Sequence, residues 1–258
     1  MQDSLRPREG RTVIRIGVLT PHMAVGPEKE FPAMAPGRLV TCVSRVAADG
    51  PGSGPPTSAR GLRALTLAPV LDAAAKSLAT GSLDAVGYAS TTSAYAIGST
   101  AEAALLSRLS ALLSVPVATT GESAVRALHA LGVERVALIG APWFEAELNE
   151  LGAAYFGGRG FDVVSSASAG LQQDPDRIDP AAVSDWTSRN VPDEAQAVFI
   201  GGNGFRAAGA VERLERALGR PVLTSNQVLL WSILGQVGAT FTVTGYGRLF
   251  DHRPRGEA

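Results

Sequence analysis

The sequence has one cysteine, Cys42, among 258 residues, and a net charge of −1. A single cysteine excludes an internal disulfide and any metal site built from several cysteines. The nearly balanced charge provides no basic surface for a phosphate backbone, so nucleic acid is not an expected partner. The three histidines, His22, His129 and His252, lie far apart and form no metal-ligand pair. We therefore predict no metal centre.

Long hydrophobic runs are also missing. No stretch of about 18 apolar residues occurs, so no membrane span is expected. Residues 1–12 are polar and charged, without the apolar core of a signal peptide. We expect a cytoplasmic protein in which residues 1–12 form an extended or disordered tail.

Short apolar runs alternate with longer stretches of helical periodicity. Most of the runs are β-branched and lack polar alternation, which is typical of strands buried on both faces. Strands that alternate with helices predict βαβ units and parallel sheets, an α/β fold. The strand candidates are 13–20, 38–46, 84–90, 116–120, 135–141, 161–168, 197–202 and 221–225, and the helix candidates are 68–80, 99–114, 121–132 and 206–219.

The chain repeats itself in three places, always in the same order. Such a repeat predicts two pseudo-symmetric lobes, each a roughly four-stranded parallel sheet flanked by helices. Ligands of parallel sheets bind beyond the carboxyl ends of the strands, so the active site is expected in the cleft between the lobes. The matched segments are IRIGVLTPHM (14–23) with ERVALIGAPW (134–143), DAVGYAST (84–91) with QAVFIGGN (196–203), and SVPVATTGES (114–123) with GRPVLTSNQV (219–228).

The repeat also predicts how the lobes divide the chain. Residues 13–118 together with 226–258 are expected to form the first lobe, and 119–225 the second. The loop 47–61, AADGPGSGPPTSARG, is rich in Gly, Pro and Ser and follows the second strand. It is a candidate lid over the cleft, and a plain surface loop is the alternative.

His22 follows the first predicted strand, in TPHMAVGPEKEF, with Glu28 and Glu30 nearby. A histidine there can act as a general base, because its unperturbed pKa lies near neutrality. The alternative is a loop histidine with a structural hydrogen bond. His129 and His252 are expected on the surface.

Ser90, Thr91 and Thr92 follow the third predicted strand. Hydroxyl and backbone N–H groups in such a turn bind carboxylate or phosphate oxygens. A nucleophilic Ser90 would need an adjacent base, and the sequence GYAST lacks the G-x-S-x-G pattern. We therefore favour a substrate-binding turn, with simple capping of the strand end as the alternative.

The segment GGNGFRA (201–207) follows the seventh predicted strand and is expected to open a helix. GNGFRA fits the G-x-G-x-x-A pattern of a dinucleotide-binding turn, but the acidic residue that would bind a ribose is missing after the next strand. A loop in which Gly202, Asn203 and Gly204 approach a small anion closely is the better interpretation.

Three further residues are candidates by position. Trp143 follows the fifth strand, where it would line the cleft or pack in the core. Tyr246 lies between glycines in GYGRLF (245–250), which suggests a tight bend that presents its ring or hydroxyl. Cys42 lies within a strand pattern and is expected to be a buried thiol.

The chain resembles the aspartate/glutamate racemase superfamily, in particular its maleate cis-trans isomerase and arylmalonate decarboxylase branch. The resemblance implies two similar α/β lobes, a small-acid site between them, cofactor-independent chemistry next to a carboxylate, and a homo-oligomer. The matching pieces are VLTP with the acidic loop that follows it (18–30), DAVGYAST (84–91), ALGVERVAL (130–138), AVFIGGNGFR (197–206), RPVLTSNQ (220–227) and GYGRLF (245–250).

The sequence departs from that family at the residues that carry its chemistry. Family members usually have a cysteine at one or both of two symmetric strand ends, and this chain has Ser90 and Gly202 there. The asparagine that often follows the first strand in maleate isomerases corresponds to Ala24, and a frequent tyrosine after the fifth strand corresponds to Trp143. A thiol has a pKa near 8.5 and exchanges protons at neutral pH, whereas a serine hydroxyl does not. Two-base racemisation and thiol addition are therefore not expected.

What remains is a cofactor-independent lyase or isomerase that acts on a small carboxylic acid. His22, Ser90 and Tyr246 are the expected catalytic residues, with Tyr88 and Tyr95 as further proton carriers. The expected substrate-binding residues are Thr91, Thr92, Trp143, Gly202, Asn203 and Gly204. A catalytically silent small-acid-binding protein and a nucleotide-dependent enzyme that uses GNGFRA are the alternatives.

Overall fold

Two four-stranded parallel sheets form the frame of the protein, as a computed structural model that describes residues 13–21, 25–47 and 57–252 shows. The strand orders, β2-β1-β3-β4 and β6-β5-β7-β8, are the same in both sheets. The predicted two-sheet α/β fold is confirmed, and each strand candidate overlaps one observed strand. The strands are β1 (Ile14–Pro21), β2 (Leu39–Val46), β3 (Ala85–Tyr88), β4 (Val117–Thr119), β5 (Arg135–Gly140), β6 (Asp162–Ser168), β7 (Ala197–Ile200) and β8 (Val222–Thr224).

Helices connect the strands within the described ranges. They are α1 (Pro27–Met34), α2 (Ala59–Ala64), α3 (Ala68–Leu78), α4 (Thr91–Leu113), α5 (Thr120–Ala130), α6 (Ala146–Gly157), α7 (Pro180–Asn190), α8 (Val211–Leu218) and α9 (Ser225–Gln236). Short 3-10 turns lie at Asn203–Phe205 and Ala208–Ala210. The sequence did not predict α1, α2, α6, α7 or α9. Helix α9 gives no periodic signal because Ser225–Leu234 is buried on every side.

Two predicted helix starts are wrong. The helix expected at 99–114 begins at Thr91, and it is kinked at Gly98, whose φ of 76° only glycine adopts readily. The helix expected to start at 206 begins at Val211. Arg206 has a left-handed backbone with φ 55°, and 3-10 turns precede the helix. The GNGFRA segment therefore does not open an α-helix, which is the context that a dinucleotide-binding turn requires.

Each sheet is covered in part by the helix that follows the last strand of the other sheet. Helix α5 follows β4, and its Ala124 and Leu128 pack with Leu138 and Phe199 of the second sheet. Helix α9 follows β8, and it packs with Ile16 and Ala85 of the first sheet. The contribution is large, since burial of each Leu side chain stabilises the fold by about 1.5–3 kcal/mol.

The close fit of α9 on the first sheet depends on Gly87 in β3. A Cβ atom there would lie 3.0 Å from Ile233 Cδ1 and 3.2 Å from Leu229 Cδ2. The chain passes from the first sheet to the second at Thr119–Thr120, between β4 and α5, and back to the first sheet at Thr224–Ser225, between β8 and α9. The domain bounds given by the sequence stay a prediction.

Several expectations concern residues outside the described ranges. They include the tail 1–12, His22, Ala24 and most of the candidate lid, of which residues 48–56 are not described. The end of that loop is described, and there the Ser58 side chain accepts a hydrogen bond from Gly61 N at 3.1 Å and caps α2. Among the helices that the structure describes, none is long and apolar enough to cross a membrane.

Candidate active site

The carboxyl ends of the two sheets meet at Ser90 and Gly202. Ser90 follows the end of β3, and Gly202 follows the end of β7 at the equivalent position. The Gly202 N–H donates to Thr91 Oγ1 at 3.3 Å, so the two strand ends are in direct contact. Of the residues that the internal repeat pairs, Thr91 and Asn203 are in direct contact, since the Thr91 N–H donates to Asn203 Oδ1 at 3.1 Å.

Ser90 belongs to a buried chain of three hydroxyl groups. Its Oγ lies 2.7 Å from Ser93 Oγ, and the Tyr88 hydroxyl donates to Ser93 Oγ at 3.1 Å. Burial raises the pKa of Tyr88 to about 12, so this phenol is protonated at neutral pH. The Ser90 side chain does not cap α4, and its described partners include no base. Ser90 is therefore placed as a hydroxyl donor or acceptor, without the base that a serine nucleophile requires.

Asn203 is the centre of a second polar cluster, between the sheets. Its Oδ1 accepts from Thr91 N at 3.1 Å and from Thr91 Oγ1 at 3.0 Å. Its Nδ2 donates to Thr120 Oγ1 at 3.1 Å and to Asn226 Oδ1 at 2.8 Å. Only 4% of Asn203 is exposed, so this side chain works mainly as a connector of strand ends.

Gly202 is held in a conformation and a space that exclude a side chain. Its φ is 109°, and a Cβ atom would lie 2.9 Å from Ala141 Cβ and 3.4 Å from Phe144 Cζ. Its N–H also donates to Ser225 Oγ at 2.8 Å. This strand end thus presents backbone and small hydroxyl groups.

Thr92 and Gly204 lie beside these clusters. Thr92 is 8% exposed, and its hydroxyl has no hydrogen-bond partner within the described ranges. Gly204 is half-buried in the 3-10 turn Asn203–Phe205. The Thr92 hydroxyl is therefore a donor that a small acid can use.

Glu30, which the sequence placed near His22 without a role, is part of this site. It lies in α1, and its Oε1 accepts from Ala208 N at 2.8 Å while Oε2 accepts from Asn226 Nδ2 at 2.6 Å. Burial raises the pKa of Glu30 to about 7, against these hydrogen bonds and the charge of Arg206, which lower it. The available signal was its place in the first turn of a helix that starts at Pro27, just after the first strand.

Tyr246 lies near Glu30. Its ring is half-buried in the first-sheet core, and its carbonyl accepts from Gln227 Nε2 at 2.6 Å. Burial and then the negative charge of Glu30 raise the pKa of the Tyr246 phenol. Tyr246 therefore lies within the electrostatic influence of the Glu30 carboxyl group.

The other candidates lie in apolar surroundings. Trp143 packs edge-on against Phe205, with ring centroids 6.1 Å apart. Tyr95 packs on Tyr155, and burial raises the pKa of Tyr95 far above its usual range. Cys42 is half-buried within β2 opposite Gly17, so it does not lie at a strand end.

A second buried carboxyl group, Glu102, lies on α4. Its oxygens accept from Thr119 Oγ1 at 2.5 Å, Glu122 N at 3.1 Å and Tyr155 OH at 2.5 Å. Burial raises the pKa of Glu102, which is 2% exposed. Because all its described partners are donors from other elements, Glu102 has a structural role that links α4, α5 and α6.

The remaining histidines and the acidic residues form no centre. His129 and His252 are exposed, and His129 packs on Phe161 with ring centroids 4.6 Å apart. In the part of the chain that the structure describes, no three His, Cys, Asp or Glu side chains come close enough to hold a metal ion.

The fold and the site define an α/β protein of two equivalent parallel sheets with a polar cluster where their carboxyl ends meet. The arylmalonate decarboxylase family model matches residues 66–250. The chain therefore belongs to the arylmalonate decarboxylase family, which confirms the resemblance drawn from the sequence.

Comparison with individual proteins agrees with this assignment. The chain is 28% identical over 159 residues to the arylmalonate decarboxylase of Bordetella bronchiseptica. That alignment covers 60% of this chain and 65% of the relative, slightly less than two thirds of its length.

Solved structures share the fold. A cysteine-to-alanine variant of the maleate isomerase of Pseudomonas putida S16, with maleate, has a TM-score of 0.81 at 21% identity, over 93% of this chain and 98% of that one. A Nocardia farcinica maleate cis-trans isomerase variant with a covalently bound succinylcysteine intermediate has a TM-score of 0.79 at 23% identity. There the match covers 95% of this chain and 100% of that one.

Proposed function

We propose that the protein is a cofactor-independent lyase or isomerase that acts next to the carboxylate of a small organic acid. The observation that carries the proposal is the meeting of the Thr91 and Gly202 strand ends in a member of the arylmalonate decarboxylase family. Two equivalent strand ends there present hydroxyl and backbone N–H groups within one cleft. Such donors stabilise an anion and the enolate-like charge that develops next to it.

The substrate carboxylate would be bound by Thr91, Thr92, Asn203 and the backbone at Gly202 and Gly204, with Trp143 at the side of the cleft. Thr92 supports this arrangement because its hydroxyl has no described protein partner. The Gly202 N–H and the Thr91 hydroxyl now bond to each other and to Ser225. An incoming carboxylate would exchange these neutral hydrogen bonds for charge-assisted ones, which are about twice as strong.

In the decarboxylation version of the reaction, the bond between the leaving carboxylate carbon and the α-carbon breaks. Its electron pair passes into the remaining carboxylate or carbonyl group as an enolate, and CO2 leaves. A proton is then added to the α-carbon. His22 is our proposed proton carrier, with Tyr246 as a further candidate, while Ser90 orients the enolate through the Ser93–Tyr88 hydroxyl chain.

A thiol adduct is not part of this proposal. The only cysteine of the chain is Cys42, within β2. The Nocardia farcinica relative has been captured with a succinylcysteine intermediate. We infer that the strand ends at Ser90 and Gly202 operate by hydrogen bonding and proton transfer in place of thiol addition.

The test is turnover of phenylmalonate, the simplest arylmalonate, and of maleate, followed by proton NMR. His22→Ala is expected to lower kcat by about 10²-fold or more if His22 carries the proton. His252→Ala, an exposed histidine, is the matched control. Unchanged turnover in the His22 variant would remove His22 from the mechanism.

A second candidate function is a silent small-acid-binding protein on the same fold. It is favoured by Gly202, which has no side chain, and by Ser90, which has no described base beside it. If the protein only binds small acids, phenylmalonate or maleate should raise its Tm, and no product should form after prolonged incubation. Formation of product would eliminate it.

A further inference from the structure

A continuous chain of polar side chains joins α1 to the start of α4. Glu30 Oε2 accepts from Asn226 Nδ2 at 2.6 Å, and Asn226 Oδ1 accepts from Asn203 Nδ2 at 2.8 Å. Asn203 Oδ1 then accepts from the Thr91 N–H at 3.1 Å and the Thr91 hydroxyl at 3.0 Å. Glu30 is thus connected, through three hydrogen bonds in series, to the strand end beside Ser90.

The direction of this chain is fixed by groups that only accept or only donate: the ionised Glu30 carboxylate, the Asn203 backbone carbonyl and the Thr91 backbone N–H. An ionised carboxylate only accepts hydrogen bonds, so the Asn226 nitrogen must face Glu30. The same nitrogen also donates to the Asn203 carbonyl at 2.8 Å. The Asn226 oxygen therefore faces Asn203 and selects its nitrogen, which leaves the Asn203 oxygen directed at Thr91.

The direction extends to the hydroxyl groups of the cleft. Thr91 has one hydroxyl proton, and it is donated to Asn203. Thr91 Oγ1 also accepts from the Gly202 N–H at 3.3 Å and lies 2.7 Å from Ser225 Oγ, which can donate to it or to the Ile200 carbonyl at 3.4 Å. The Thr91 hydroxyl thus belongs to one chain of polar side chains, of which Glu30 is the ionisable member.

We propose that Glu30 is a positioning residue that sets the direction of the hydrogen bonds from Asn226 to Thr91 and thereby the donors offered to a substrate carboxylate. The substrate part of this inference rests on the proposed function. The part about direction rests on the hydrogen-bond geometry alone.

Protonation of Glu30 would disrupt this order. A protonated Glu30 carries a donor that faces two other donors, Asn226 Nδ2 and the Ala208 N–H. If Asn226 turns to accept that proton, it loses its bond to the Asn203 carbonyl, and its nitrogen faces the Asn203 nitrogen, which competes with the bonds of Asn203 to Thr91. The strand-end donors then lose their fixed orientation.

The surroundings place this change near neutral pH. Burial raises the pKa of Glu30 to about 7, although the hydrogen bonds and Arg206 lower it. Arg206 is itself paired with Asp176 at 2.7 Å, which also contacts Lys29 at 3.5 Å. The described charged and titratable groups around Glu30 are Arg206, Asp176, Lys29, Tyr246, Glu28 and Arg45, of which Glu28 and Arg45 pair with each other.

The first test needs no substrate. The side-chain amide resonances of Asn226 and Asn203 are followed by NMR between about pH 5.5 and 8.5 in the full chain. We expect both to shift with one shared midpoint near 7 in the wild type and to show no such transition in Glu30→Gln. Glu28→Gln, which removes a charge from the same helix, should keep the transition.

The second test measures the dissociation constants of phenylmalonate and maleate by calorimetry at pH 6 and pH 8.5. Wild type and Glu28→Gln should bind about tenfold more weakly at the lower pH, and Glu30→Gln should bind about tenfold more weakly at both. Binding by Glu30→Gln that equals the wild type at pH 8.5 would overturn the inference.

The two tests separate this inference from the proposed function. If neither acid binds any variant, the function is contradicted for these acids, and the amide titration still decides whether Glu30 sets the direction. Amide resonances of Asn226 and Asn203 that do not titrate together in the wild type overturn the inference. That wild-type measurement is decisive even if Glu30→Gln does not fold.

Discussion

At the scale of single residues, Gly202 shows how backbone geometry limits the chemistry of the cleft. Its φ is 109°, and a Cβ atom at this position would lie only 2.9 Å from Ala141 Cβ, so there is room for hydrogen only. A cysteine could not be placed at this strand end without movement of β7 or of the Ala141 turn. Ser90 is different, because its side chain already occupies a buried site of suitable size.

Gly202→Ala should therefore lower the free energy of unfolding by about 1–3 kcal/mol, since it adds both backbone strain and a close contact. Urea denaturation measures the change. Gly157→Ala is the control, because Gly157 has open space around its Cβ position at the end of α6. Equal stability of Gly202→Ala and wild type would contradict the observed backbone at this position.

The raised pKa of Glu30 predicts that its contribution to the free energy of unfolding decreases as the pH rises. Its pKa is raised from 4.5 to about 7 in the folded protein, so between these values the folded state holds a proton that the unfolded state has lost. The contribution of Glu30 therefore favours folding at low pH and is lost as the pH rises through about 7. The loss, relative to Glu30→Gln, is about 1–3 kcal/mol.

Urea denaturation of wild type and Glu30→Gln at pH 5, 7 and 8.5 measures this difference. The Glu28→Gln variant controls for removal of a charge from α1. If the wild type becomes more stable relative to Glu30→Gln as the pH rises, the predicted sign of the pH dependence is wrong.

At the scale of elements, the kink in α4 positions the strand-end hydroxyls. Gly98 separates the buried first part of the helix, which contains Thr91, Thr92 and Ser93, from the longer part that reaches Leu113. In a helix without this kink, Thr91, Thr92 and Ser93 would lie at different positions relative to the end of β3. The positive φ of Gly98 therefore matters to the cleft although its own surroundings are open.

Gly98→Ala is expected to destabilise the protein by about 1 kcal/mol, because alanine is strained at a φ of 76°. It should also weaken phenylmalonate binding, since the first part of α4 would shift. Thermal unfolding and calorimetry measure the two effects. Gly157→Ala serves again as the control, and unchanged Tm and affinity in Gly98→Ala would argue against a role for the kink.

Sequence patterns predicted the strands well and several helices poorly, for physical reasons. A run such as AVGY or AVFI is apolar because it is buried on both faces, and that pattern is visible locally. Helix α9 is buried on all sides and has no periodic pattern. Most of the candidate cleft was visible as hydroxyl and glycine residues at strand ends.

The role of Glu30 could not be predicted in the same way. Its partners Ala208 and Asn226 lie 178 and 196 positions away along the chain. No local pattern encodes such contacts, because they arise only when α1 reaches the second set of strand ends. The same applies to Gly202, whose lack of space is created by Ala141 and Phe144.

At the scale of the whole molecule, the crossed packing of α5 and α9 makes the two sheets depend on one another. Leu229 and Ile233 of α9 contact the backbone of β3 at Gly87, while Ala124 and Leu128 of α5 belong to the core of the second sheet. A substitution that destabilises either helix should therefore destabilise both sheets.

Leu229→Ala is expected to lower the free energy of unfolding by about 2–5 kcal/mol, because it creates a cavity in a fully buried core. Hydrogen exchange of the slowest amides should accelerate to a similar degree in β3 and in β7. Leu67→Ala, at a residue that is 57% exposed, is the control. Faster exchange confined to the first sheet would show that the lobes unfold independently.

The exchange of helices also has a consequence for synthesis on the ribosome. The first sheet is complete once β4 has been made, but the helix that covers it, α9, ends at Gln236. Until that segment leaves the exit tunnel, Ile16 and Ala85 lack their native cover and can be reached by chaperones. The first sheet is thus expected to remain incompletely folded until α9 has been made.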